Sequence, residues 1–163
     1  MERLKNNDTG KLGIPETLVS WRKEKETLVF NFVAKGSSLK SYSTKNNDTL
    51  WFVNVVEIFL DLGDDFYYEF EIAPNGTSFI AKIKNQVITF FEQNFFSYKV
   101  DLIEEEHTYK VEMRMDLSKL SYKPKHIKFN AFRHERVGQE DVQEALNPTF
   151  TTFHVKEKFI DFK

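Results

Sequence analysis

Strict alternation constrains this chain more than any other feature. Across residues 108–116, Tyr109, Val111, Met113 and Met115 are apolar, while Lys110, Glu112 and Arg114 between them are charged. A period of two puts one set on a buried face and the other in water, which is the mark of a half-buried β-strand. Leu28, Phe30 and Phe32 alternate in the same way with Val29, Asn31 and Val33, and Ile127, Phe129 and Ala131 with Lys128, Asn130 and Phe132. Residues 51–60 are strongly apolar and β-branched. Leu62, Gly63, Asp64 and Asp65 then read as a turn, and 66–72 as the hairpin partner, closed by Pro74, Asn75 and Gly76. Further strands are predicted at 78–84, 86–92, 95–102 and 108–116, and 159–162 closes a sheet. Residues 35–49 read as a long loop. Residues 1–20 read as a loosely ordered or edge-strand arm, and 139–146 as the one short helix. About eight or nine strands with almost no helix predict an all-β fold. The expected architecture is an antiparallel β-sandwich of immunoglobulin or jelly-roll type, in a single domain spanning 1–163, with a small barrel as the alternative.

Composition narrows the chemistry. Seventeen Phe among 163 residues mean a core of few, large side chains, which suits strands. The 23 basic and 25 acidic residues nearly balance, which argues against a broad basic surface for nucleic acid or an anionic membrane. With no cysteine, disulfides, thiolate catalysis and cysteine-ligated zinc are excluded. No apolar run is long enough for a membrane-spanning helix. Residues 1–11 are polar and lack the apolar stretch of a secretory signal, so the chain as written reads as cytoplasmic, and as secreted if a signal precedes it. There is no Gly-x-Ser-x-Gly turn and no glycine-rich phosphate loop. His107, His126, His134 and His154 show no metal-ligand spacing, so a zinc site would need distant strands.

The carboxylates carry more. If Val56, Ile58 and Leu60 face the core, Glu57 and Phe59 face out, and in the next strand Tyr67, Glu69 and Glu71 face out opposite them. A hairpin brings Glu57 near Glu69 or Glu71. Such a pair would suit a glycoside hydrolase, or would be an ordinary solvated pair. Nothing in the sequence predicts the enclosed apolar pocket that would raise either pKa. Asn130 and Phe132 share their outward face with Lys128. A sheet face that mixes aromatic and polar groups is what a sugar needs, because sugars present hydroxyls to acceptors and C–H faces to rings.

Four segments in order resemble the family 9 carbohydrate-binding modules. The run Trp51-Phe52-Val53-Asn54-Val55-Val56-Glu57-Ile58-Phe59-Leu60, then Phe66-Tyr67-Tyr68-Glu69-Phe70-Glu71-Ile72 with Asn75-Gly76, is similar to that family's D-x-V-E-[VI]-F-[LI] strand and Y-Y-x-F hairpin. Phe129-Asn130-Ala131-Phe132-Arg133 resembles its asparagine-bearing aromatic strand, and Phe153-His154-Val155-Lys156-Glu157-Lys158-Phe159 its closing F-H-x-P-E-x-F segment. The resemblance implies a sandwich, non-catalytic binding of an oligo- or polysaccharide, often calcium, and a glycoside hydrolase as partner in carbohydrate catabolism. It implies that Trp51 is a stacking platform and that Glu57 and Asn130 contact sugar, with Tyr67 and Glu69 on the same face. The second clamping Trp has no counterpart; Arg133 stands near its place. Asp61, Asp64 and Asp65 around the hairpin turn are the candidate calcium ligands. A haem-binding relative of the sandwich would draw on Met113 and Met115, which alternation instead assigns to the core.

Overall fold

A computed structural model describes residues 1–36, 39, 45–48, 50, 53–91, 94–137 and 139–163. Thirteen strands pair throughout in antiparallel fashion: β1 (Glu2–Arg3), β2 (Lys5–Asn6), β3 (Thr17–Glu24), β4 (Thr27–Lys35), β5 (Val55–Asp61), β6 (Tyr67–Ile72), β7 (Ser78–Lys84), β8 (Val87–Phe90), β9 (Phe96–Ile103), β10 (Thr108–Asp116), β11 (Lys128–Val137), β12 (Glu140–Ala145) and β13 (Ile160–Asp161). Two sheets result. One runs β1-β3-β4-β10-β9; the other runs β2-β12-β11-β5-β6-β7-β8, with β13 also paired to β11.

The alternation holds where it was clearest. Tyr109, Val111, Met113 and Met115 are buried between the sheets with Phe30 and Phe32 from β4, Val56, Ile58 and Leu60 from β5, and Tyr68, Phe70 and Ile72 from β6. The expected hairpin forms, with Val56 opposite Ile72 and Leu60 opposite Tyr68. Its turn uses Gly63 at φ +96°, a conformation that a Cβ would strain, and the Gly63 N–H donates to Asp61 Oδ1. Because Met113 and Met115 are both sealed in this core, neither is placed to ligate a haem.

One segment departs from the sequence expectation, and two others are fixed by the pairing. Residues 139–146 are not a helix. Residues 140–145 form β12, a hairpin partner of β11 with Ala145 opposite Phe132 and Glu144 opposite Arg133. The Glu- and Gln-rich composition favours a helix, but pairing and burial along a sheet override so weak a preference. The N-terminal arm supplies an edge strand to each sheet, β1 against β3 and β2 against β12, with fully buried Leu4 between them. Its later part, from Thr17, belongs to β3, which pairs with β4 over eight residues. Finally, β11 extends to Val137. Arg133 is therefore mid-strand, and alternation decides which way it points.

Candidate functional site

The outer face of the eight-stranded sheet holds the site, and the C-terminal segment covers part of it. Phe59, Phe132, Tyr67, Phe79 and Val55 form a second apolar cluster there, beneath Phe153 and Phe159 of the C-terminal segment. Phe153 stacks on Phe132 at 4.3 Å, and the His154 ring lies 5.1 Å from Phe59. Two buried asparagines tie this covering segment down. The Asn7 side chain accepts from the Thr149 N–H and donates to the Thr151 carbonyl at 2.7 Å. Asn130 donates to the Asn147 carbonyl at 2.8 Å, and its Oδ1 accepts the Asn147 N–H. The Tyr67 hydroxyl meets His154 Nδ1 at 2.5 Å. Burial lowers the His154 pKa, so the ring is held neutral.

Between sheet and covering segment lies a cavity of about 630 Å³. Its lining mixes apolar side chains, Phe59, Phe79, Ile88 and Phe153, with polar ones, among them Glu57, Glu69, Glu71, Gln143 and Asp141. The register explains the carboxylates: Glu57 lies directly opposite Glu71, and Glu69 opposite Phe59, all on one face. One oxygen from each of Glu57, Glu69 and Glu71 lies within 4.8 Å of the others. All three residues are buried, at 2%, 5% and 1% exposure. Burial first, and then the charge of Glu69, push the Glu57 carboxyl well above its usual range. Glu71 is pushed the same way by burial and by both neighbours, and Glu69 is pushed up to about 7 by burial. The expectation that no enclosed setting raises these groups is thus overturned. The covering segment, distant in sequence, supplies the enclosure.

The candidate residues separate. Glu57, Glu69 and Tyr67 share the outer face, the two glutamates lining the cavity and Tyr67 bracing its cover. Asn130 shares that face, but its side chain is spent on Asn147, away from the cavity lining. Arg133, expected near the place of the second clamp, does not face the site. It points between the sheets, fully buried, where Nη2 donates to Glu135 at 2.9 Å and the guanidinium lies 5.3 Å from the Tyr109 ring centre. Trp51 lies outside the described residues.

The aspartates at the turn do not converge on a calcium ion. Asp61 takes the Gly63 N–H, His126 at 2.9 Å and Lys156 at 3.2 Å. Asp65 pairs with Lys84 at 2.5 Å, and Asp64 accepts from Lys156 through its backbone carbonyl. Protein cations thus meet the carboxylates of Asp61 and Asp65. Among the described residues, the acids that converge are instead the three glutamates.

Sequence reading placed Glu71 on the same face as Glu57 and Glu69, as an alternative to Glu69, but did not bring all three together. It also passed over His134 and Gln143, which reach the cavity from β11 and β12. Gln143 was hidden because its strand reads as helix.

The class defined so far is an antiparallel sandwich with a covered, acid-floored cavity on one outer face. No known family profile matches the sequence, and no curated protein sequence matches it. Solved structures do match in fold. A Bacteroides uniformis protein, provisionally described as carbohydrate-binding, superposes with a TM-score of 0.78 at 18% identity, covering 97% of this chain and 83% of its own. A family 9 carbohydrate-binding module from Caldicellulosiruptor kristjanssonii in complex with cellotriose gives a TM-score of 0.63 at 16% identity, over 89% of this chain and 72% of the module. The same kind of module in complex with glucose gives 0.62 at 16%, over 88% and 73%. The chain has the fold of the family 9 carbohydrate-binding modules.

Proposed function

We propose that this chain is a non-catalytic carbohydrate-binding domain, with its saccharide in the cavity on the outer face of the eight-stranded sheet. One observation carries the reading: three carboxyl groups and the Gln143 amide line the same cavity as the aromatic rings of Phe59, Phe79 and Phe153. Sugars are recognised by that combination, with hydroxyls on the polar groups and C–H faces on the rings. A cavity of about 630 Å³ is of ordinary size for a small ligand or chain end. The fold supports the reading, since modules that share it are seen with cellotriose and with glucose. The polymer would be an oligo- or polysaccharide, and the domain would hold a glycoside hydrolase partner near it.

A hydrolase at Glu57 and Glu69 would place its acid and its nucleophile on either side of a glycosidic bond, whereas Glu57, Glu69 and Glu71 form one buried cluster on a single strand pair.

A glycan array followed by calorimetric titration tests the proposal. Phe153→Ala removes the aromatic wall and is expected to weaken binding by about 1–3 kcal/mol, the range of an aromatic anchor. No binding to any glycan, or turnover of aryl glycosides that disappears in Glu57→Gln, would overturn it.

A further inference from the structure

We propose that Glu57, Glu69 and Glu71 form a site for one hard divalent cation of calcium size in the floor of the cavity. This goes beyond the carbohydrate reading and does not rest on it.

Geometry comes first. Calcium holds oxygens at about 2.3–2.6 Å, so two ligands of one ion can stand up to about 5 Å apart. One oxygen from each glutamate lies within 4.8 Å of the others, inside that span without backbone movement. The three residues sit on two adjacent, fully paired strands, which makes the arrangement rigid. A second observation points to a ligand. Glu71 Oε2 is buried, lacks a hydrogen-bond partner, and belongs to a residue that lines the cavity. A buried carboxylate oxygen without a partner is strongly disfavoured unless something fills its lone pairs.

The surroundings agree. Among the described lining residues there is no Lys or Arg. The nearby fixed cations face elsewhere: Lys156 is on Asp61, and Arg133 is on the opposite side of the sheet with Glu135. Among the described lining residues the basic groups are the imidazoles of His134 and His154, and no fixed cation faces the three clustered acids. An all-oxygen set is what hard cations select, and thiolate- or imidazole-preferring metals are poorly served. Three glutamates leave coordination positions open toward the cavity, for water or for ligand oxygens.

The full chain, stripped with chelator and dialysed, is titrated with calcium chloride, and in separate runs with magnesium and manganese chlorides. The expected result is saturable binding of one ion per chain, calcium tightest, with a rise in thermal midpoint that grows with concentration. Glu71→Gln keeps the shape and hydrogen-bonding capacity of a protonated glutamate, so it should fold. It is expected to weaken binding about tenfold or more. Glu69→Gln is the second variant and should act likewise. Asp65→Asn, at the exposed turn, should leave binding unchanged. The proposal is overturned by the absence of saturable heat and midpoint shift at roughly millimolar concentrations of all three cations. It is also overturned by binding that survives both glutamine variants. Glycan titration of the same stripped protein is read separately, so failure of the cation site and failure of the sugar reading are told apart.

Discussion

The eight-stranded sheet buries acids on both faces, and the two groups are neutralised in different ways. On the inner face, Glu135 and Glu144 are fully buried beside Arg133, with Tyr109 packed under the guanidinium. On the outer face, Glu57, Glu69 and Glu71 are buried to a similar degree, and no arginine or lysine lines their cavity among the described residues. The inner group has Arg133, paired to Glu135, while both Glu144 oxygens lack a hydrogen-bond partner, and it is closed between the sheets. The outer group opens on a cavity and meets its charge with protons or with something bound. Buried charge next to a fixed partner belongs to architecture, whereas buried charge that faces space marks a place where a ligand can act.

Removing the inner cation breaks the contrast most severely. Arg133→Ala leaves Glu135 and Glu144 buried without a positive partner, and should destabilise the fold by about 3–5 kcal/mol, measured by urea unfolding at neutral pH. A loss below about 1 kcal/mol would mean that the arginine is no more structural than a surface pair.

Glu144 sharpens the comparison through pH. Burial, outweighing the nearby Thr17 hydroxyl and the charges of Arg133 and Arg3, pushes its carboxyl up to about 7, with Glu135 adding repulsion. In the unfolded chain the group returns to its ordinary value of 4.5. Below that value both states are protonated and nothing is lost. As pH rises from there to about 7 the unfolded state releases its proton first, so stability falls; above 7 the loss is complete. Glu144→Gln should therefore be more stable than the parent by about 3 kcal/mol at pH 8, and no more stable at pH 4. Equal stability at both pH values would show that Glu144 ionises freely in the folded protein.

The smallest effect concerns the outer cover. Tyr67→Phe deletes the hydroxyl that meets His154, and should lower stability by about 1 kcal/mol. Amide exchange in residues 151–154 should quicken more than in β10. Uniform quickening across the chain would mean that the contact does not hold the cover in particular.

Much of this was legible in the residues themselves. Alternation at Tyr109 to Met115 and at Val56, Ile58 and Leu60 assigns strands and inner faces, because a strand can bury a face only at period two. The same parity set Glu57, Tyr67, Glu69 and Asn130 together on the other face, and the turn at Gly63 fixed which strands pair. Local sequence failed where a distant partner decides. Residues 140–145 became a strand because β11 offered an edge to pair with. Arg133 turned inward because β11 runs past it to Val137, where Glu135 and Tyr109 could hold it. Asp61 became an ion-pair acceptor because His126 and Lys156 arrive from elsewhere. Above all, the outer face became a cavity only because Asn7 and Asn130 draw residues 147–154 across it. Parity is a property of neighbours in the chain, so the sequence determined it; enclosure and charge compensation depend on long-range packing, so the tertiary structure alone decided them.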